Sequence, residues 1–177
     1  MIPTLLLTGT LGSGKTSTAV AVAEALPAQG LTAVVVDLDW LGWLCRPIEA
    51  DGDEIHELIL RNLRAMWPNL LEAGAQRIVM ARTLENAAQI ESLRSALPDA
   101  NVTVVRLTAS PATIEARLRR RDTGPMLAEH LEESSSFSRH LDGIADFDLV
   151  IDTDGRGVEQ VAAEILERLP AFGDSPV

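Results

Sequence analysis

The sequence predicts an α/β protein built on a five-stranded parallel sheet with helices on both faces. Three observations predict it. Five short apolar runs are separated by helical stretches long enough to serve as crossovers. The first two runs are apolar at successive positions rather than alternate ones, as expected of strands covered on both sides. A glycine-rich stretch, Gly9 to Thr16, reads GTLGSGKT and joins the first run to the first helix.

Taken in order, Ile2 to Leu7 is the first strand and Thr16 to Leu26 the first helix, closed by Pro27 and Gly30. The stretch between them matches G-x-x-x-x-G-K-[ST], the phosphate-binding P-loop, in the strand–loop–helix context the motif requires. Gly9, Gly12 and Gly14 permit backbone angles that gather successive N–H groups around one anion. The helix start adds its positive dipole end. Lys15, the only lysine in the chain, is expected at the β- and γ-phosphates, and the Thr16 hydroxyl on Mg²⁺. Ser13 and Ser17 complete the expected nucleotide-binding residues. The competing reading is a glycine-rich turn with no ligand.

Thr32 to Val36 is the second strand, ending at Asp37. Asp37 and Asp39 then stand two residues apart at the carboxyl edge of the sheet, where open α/β folds bind ligands. They could hold Mg²⁺ directly or through water, accept a proton from an attacking hydroxyl, or simply cap a helix. Trp40 and Trp43, two of the chain's few aromatics, either wall a substrate pocket or belong to the core.

Composition narrows the function. At 177 residues the chain is expected to form one domain, 1–177. A net charge of −11 argues against a nucleic-acid-binding surface. No apolar run approaches the roughly 18 residues that span a bilayer, and the N-terminus lacks the basic region of a signal peptide. The single cysteine, Cys45, excludes an internal disulfide framework, fits a cytoplasmic location and is expected as a buried structural thiol.

Asp51 to Gly74 is expected to be mostly helical, capped by Asp51 or Asp53 and ended or kinked at Pro68. Ile55, Leu58, Ile59, Leu63 and Met66 share its apolar face, interrupted by Asn62, and His56 is expected at the surface or an interface. Residues of about 38–74 would cover the acceptor side of the site. Arg77 to Ala81 is the third strand, with Arg82 at its carboxyl end facing either an anionic acceptor or the Asp37/Asp39 pair. Glu85 to Leu97 is a helix stopped by Pro98, and Val102 to Leu107 the fourth strand. Ser110-Pro111 starts the next helix.

That helix continues as ATIEARLRRRD. Ile114 and Leu118 face inward, and Arg117, Arg119, Arg120 and Arg121 crowd the rest. Arg117 and Arg121, one turn apart, would repel unless an anion bridges them. Asp122-Thr123-Gly124-Pro125 breaks the helix. The stretch of about 117–130 reads as an Arg-rich lid over phosphates, or as a solvated face balancing local acids. Met126 to Leu141 is helical, weakened at Ser134-Ser135-Ser136. Phe147 to Ile151 is the fifth strand, Gly157 to Leu169 the closing helix, and Pro170 to Val177 a frayed tail.

GTLGSGKT, VVVDLDW and RLRRRDTGPMLAEHLEES together resemble the P-loop kinase branch of the nucleoside monophosphate kinase-like fold, a three-layer P-loop NTPase fold. VVVDLDW is similar to the D-x-D of adenylylsulfate kinases and to the single Asp of chloramphenicol phosphotransferase-like enzymes. The arginine-rich stretch resembles the lid of gluconate kinases. The resemblance implies ATP and Mg²⁺ as cofactors and a small-molecule hydroxyl as phosphate acceptor. It implies Lys15, Asp37, Asp39, Arg117 and Arg121 as catalytic residues, with Thr16 and Asp37 on the metal. Asp39, Trp40 and Arg82 would meet the acceptor. Asp154, Gly155 and Arg156 would lie near the adenine, where Arg117 would also clamp the nucleotide. The third strand ends in Ala81-Arg82, without the terminal Asp of a usual Walker B. A second resemblance, carried by IPTLLLTGTLGSGKT, is to metallochaperone GTPases of the cobalamin-biosynthesis type. Leu107-Thr108-Ala109-Ser110 after the fourth strand lacks their guanine-reading N-K-x-D. A protein that binds nucleotide without catalysis is the third alternative. Oligomeric state has no signature in the sequence.

Overall fold

The computed structural model describes residues 1–44, 52–144 and 147–173. Its centre is one parallel sheet in the order β2-β3-β1-β4-β5. The strands are β1 (Ile2–Thr8), β2 (Ala33–Asp37), β3 (Arg77–Ala81), β4 (Ala100–Thr108) and β5 (Leu149–Asp152). The helices are α1 (Lys15–Ala25), α2 (Gly52–Glu72), α3 (Ala87–Ala96), α4 (Pro111–Arg121), α5 (Gly124–Asp142), α6 (Val158–Arg168) and a single turn, α7 (Pro170–Gly173). The expected fold class, a three-layer α/β sheet, is what the chain adopts.

The unbroken apolar runs follow from burial on both faces. Leu5 and Leu7 of β1 face one core with Val22 of α1, Leu26 just beyond its end and Ile165 of α6. Leu6, between them, faces the other core with Ile59 and Leu63 of α2 and Ile90 and Leu93 of α3. All three leucines are fully buried. The register sets Asp37 and Leu7 both opposite Ala81. The end of β2, the end of β3 and the start of the glycine-rich loop therefore lie side by side at one edge.

Several boundaries depart from expectation for physical reasons. Pro68 neither ends α2 nor stops it: the helix runs on to Glu72. Trp67 is buried beside it and Leu70 and Leu71 pack on the same core, which offsets the lost backbone hydrogen bond. Asp53 lies inside the first turn of α2, where its charge suits the helix dipole, instead of capping it; Asp51 lies outside the described residues, as does Cys45. Asn62 interrupts the apolar face because its amide donates to the Leu41 carbonyl at 2.6 Å. His56 is buried, not superficial, and its Nε2 meets Ser92 Oγ at 2.6 Å. Ser134 to Ser136 remain helical within α5. Pro170 to Gly173 is not frayed: Phe172 is buried and its carbonyl accepts from Arg77 Nε.

Among the described residues no helix is long and apolar enough to cross a membrane. The break between α4 and α5 falls at Asp122 and Thr123, both extended, followed by Gly124 at φ +63°.

Leu63 is fully buried on the inner face of α2. Leu63→Ala is expected to lower stability by about 2–5 kcal/mol in denaturant unfolding. Arg61→Ala, on the exposed face of the same helix, is expected to change it by less than about 0.5 kcal/mol.

Candidate active site

The glycine-rich loop wraps the start of α1. Gly9, Gly12 and Gly14 have φ of +148°, +80° and +98°. At Gly9 a Cβ would also meet Leu107 O at 2.5 Å, so only glycine fits there. Side chains drawn from across the fold hold the loop's carbonyls. Lys15 Nζ donates to Gly9 O and Thr10 O, each at 3.0 Å. Ser134 of α5 donates to Leu11 O at 3.0 Å. Arg117 of α4 donates to Gly12 O and Ser13 O at 3.2 and 3.3 Å. The first-turn N–H groups of α1 have no intrahelical partner, and that turn carries no acidic residue and no capping side chain. The loop thus offers amides and a cation to an anion. Burial lowers the Lys15 ammonium to about 8, with Asp39 and Asp37 opposing the shift.

The acidic pair arrives from β2. Asp37 accepts from Thr16 Oγ1 at 2.7 Å and, through its other oxygen, from Asp39 N at 3.2 Å. It therefore caps the short 3₁₀ turn Leu38–Leu41 and touches the loop threonine at once. Asp39 is open to the cleft but crowded by protein behind, and this loss of solvation raises its carboxyl above the usual range, against the pull of Lys15. Among the described residues no group of three or more His, Cys, Asp or Glu side chains could hold a metal alone. The Thr16 hydroxyl and Asp37 carboxylate instead form a two-oxygen set. That suits a magnesium ion whose remaining ligands are phosphate oxygens and water.

These groups line a cleft of about 1030 Å³. Trp40 and Trp43 stand on its rim, stacked with centroids 5.2 Å apart and 71% and 66% exposed. That exposure removes the core reading of the pair.

The arginines of α4 part company. Arg117 is half-buried and fully engaged, since it also donates to Thr153 Oγ1 and Thr153 O at 2.9 Å. Arg121 turns to Asp122 and forms a two-pronged pair at 2.8 and 2.9 Å. Asp122 is itself buried, and His130 Nδ1 reaches it at 2.8 Å. The hydrogen bonds from Arg121 and His130 hold the Asp122 carboxyl down to about 2. Arg117 and Arg121, expected to repel unless an anion bridges them, thus turn to different protein partners. Arg120 is exposed and lines both the cleft and a neighbouring pocket of about 370 Å³, with no hydrogen bond to any described residue.

Other expected positions are dispersed. Arg156 reaches the cleft, but Asp154 and Gly155 do not line it. The Asp154 carboxylate accepts from Ser110 N at 2.9 Å, tying the β5 loop to α4. Gly155 borders the smaller pocket. Ser17 lines the cleft beside Thr16, whereas Arg82 is buried behind it. Ser134, Thr153, Asp122 and His130 were not foreseen in these roles. The Ser134 and Thr153 bonds form only once α5 and β5 lie against the loop, and the Asp122–His130 contact only once α5 folds back on the end of α4.

A family model described as an AAA domain matches residues 5–135. Among solved structures, the chain is similar to a tunicamycin resistance protein from Deinococcus radiodurans. They share 23% identity over 99% of this chain and 100% of that one, with a TM-score of 0.63. A sugar kinase from Janibacter sp. HTCC2649 shares 21% identity over 99% and 100%, with a TM-score of 0.69. An APS kinase from Mycobacterium tuberculosis, in complex with AMPPNP and APS, shares 21% over 96% and 98%, with a TM-score of 0.64. At these identities the likeness shows the fold, that of P-loop small-molecule kinases. A comparison with curated proteins gives no match.

The Arg121–Asp122–His130 contact predicts a pH signature. A carboxyl held at about 2, below its ordinary 3.8, adds stability above pH ~4 that is lost as pH falls through about 2. Wild type is therefore expected to exceed Asp122→Asn in stability at pH 6. The two should converge as pH drops from ~4 to ~2 in urea titrations at each pH.

Proposed function

The chain belongs to the AAA domain family, and from that premise we propose that it is an ATP- and Mg²⁺-dependent phosphotransferase acting on a hydroxyl of a small molecule. The observation that carries this reading is the Thr16–Asp37 contact, with Asp39 beside it and Lys15 opposite, at the wall of one cleft. Phosphoryl transfer demands little covalent chemistry from a protein. It demands alignment, neutralised charge and exclusion of water.

In this reading the first-turn amides of α1 and Lys15 hold the β- and γ-phosphates. Bound phosphate would restore Lys15 to full charge, because an anion offsets the cost of burial. Mg²⁺, held by Thr16 and Asp37 when bound, supplies further charge neutralisation. Asp37 already accepts two hydrogen bonds, so its share is positioning. Asp39 faces the cleft with its carboxylate free of hydrogen bonds from described residues, and its raised pKa suits a proton acceptor for the attacking hydroxyl. Arg120 extends over the phosphates, Arg117 keeps the loop in shape, and Arg121 anchors the hinge through Asp122. The exposed Trp40–Trp43 pair borders the acceptor's side of the cleft. The same reading makes 1–177 one catalytic domain with residues of about 117–130 as its lid.

Two substitutions separate binding from chemistry. Lys15→Met is expected to abolish transfer while circular dichroism stays native. Asp39→Asn is expected to lower turnover ~10²–10⁴-fold and to leave the ATP Kd within about threefold by calorimetry. A loss confined to ATP affinity would remove Asp39 from the proton-acceptor role. Tighter binding of GTP than ATP would move the chain to the nucleotide-switch class.

A further inference from the structure

The chain segments that follow β1 and β3 stay joined beyond the last paired residues of those strands. Arg82 N donates to Leu7 O at 3.0 Å, and Leu84 N then donates to the Thr8 hydroxyl at 3.2 Å. Thr83, between them, turns its own hydroxyl to the glycine-rich loop and donates to Gly9 O at 3.1 Å. Two threonine hydroxyls thus stitch the segments together, one accepting and the other donating. Thr8 is fully buried and Thr83 half-buried.

Gly9 O is also one of the two carbonyls that hold the Lys15 ammonium, at 3.0 Å. A carbonyl oxygen has two lone pairs. Here Lys15 occupies one and Thr83 the other. Thr10 O is shared in the same way, accepting from Lys15 Nζ at 3.0 Å and from Ser13 N at 3.2 Å. Each acceptor of the ammonium therefore has a second donor. This matters when an anion arrives. An ammonium that turns its donors to phosphate oxygens withdraws them from these buried carbonyls, and a buried acceptor left bare is costly. With Thr83 and Ser13 N in place, neither is left bare. The Ser13 share is main chain and independent of side-chain identity. The Gly9 share depends on one hydroxyl. A carboxylate in place of Thr83 would accept and not donate, and would compete with a phosphate for the ammonium. The hydroxyl is neutral and supplies the proton.

We propose that Thr83 is a positioning residue for Lys15: it keeps the Gly9 carbonyl satisfied while the ammonium passes from that carbonyl to a bound polyphosphate. This handover rests on the part of the phosphotransferase reading that puts a nucleoside triphosphate in the loop. It does not require transfer, and its test needs no turnover.

The test compares the full chain with Thr83→Val, which keeps the shape of the side chain and removes the donor, and with Thr83→Ser, which keeps the donor. AMPPNP with Mg²⁺ is the probe, and its Kd is measured by calorimetry. Lys15 is followed directly: it is the only lysine, so lysine labelled with ¹³C at Cε gives a single signal. Thr83→Val is expected to weaken AMPPNP binding roughly 5–100-fold, the cost of a buried carbonyl left bare. At saturation its lysine signal should stop short of the wild-type end point, because the ammonium is kept at Gly9 O. Thr83→Ser should match wild type in both readouts. In a Lys15→Met background Thr83→Val should cost little further affinity, since no ammonium leaves the carbonyl there. Wild-type affinity and end point in Thr83→Val, or Thr83→Ser as weak as Thr83→Val, would overturn the proposal while nucleotide binding itself stands. An equal loss in the Lys15→Met background would also overturn it, making Thr83 a plain support of the loop. Wild type that does not bind AMPPNP would remove the nucleotide reading, and the handover with it.

Discussion

Everything at this site depends on the orientation of one loop, and that orientation is imposed from outside it. Lys15, Ser134 and Arg117 bind the carbonyls of residues 9 to 13, while Thr153 fixes Arg117 in turn. With the carbonyls so occupied, the amides at the start of α1 are left for an anion. The loop is therefore where α4, α5 and β5 converge. Arg117 does its work by holding main chain. Its loss would deform the loop whether or not the side chain touches a ligand.

The acidity of the chain gives its buried cations their meaning. At a net charge of −11 the protein has many carboxylates with which to pair an arginine. It does so at Arg121, Arg94, Arg106, Arg119 and Arg156. Lys15 and Arg82 are kept from such partners and are buried. Burial lowers both their pKa values. Asp39, pushed the other way, is within electrostatic reach of both. Opposite displacements of neighbouring groups are what acid–base chemistry needs.

What the sequence disclosed follows from how local each signal is. The glycine-rich loop is contiguous, so spacing alone located it. Asp37 and Asp39 were legible because a parallel sheet brings every strand's carboxyl end to one edge, and the register with Ala81 delivers them there. The arginines of α4 were not. Which member of RLRRR points at the cleft depends on the phase of α4 against Thr153, 36 residues away, and on Asp122 at the break. The Trp pair could not be placed, because i, i+3 spacing is the same for a core face and a rim. Pro68 misled because propensity argues against proline within a helix, whereas burial of Trp67 and its neighbours decided the matter. Arg82 was visible as a cation at a strand end. Its isolation was not, since the absence of a partner is a property of the folded surroundings.

The central claim is that this cleft passes a phosphoryl group to an acceptor molecule and not to water. The most direct measurement supplies [γ-³²P]ATP and Mg²⁺ with a low-molecular-weight cell extract, separates the small molecules, and compares wild type with Lys15→Met. The account predicts a labelled anionic small molecule, distinct from inorganic phosphate, that appears with wild type alone. Label recovered only as inorganic phosphate, or equal labelling by both proteins, would contradict it.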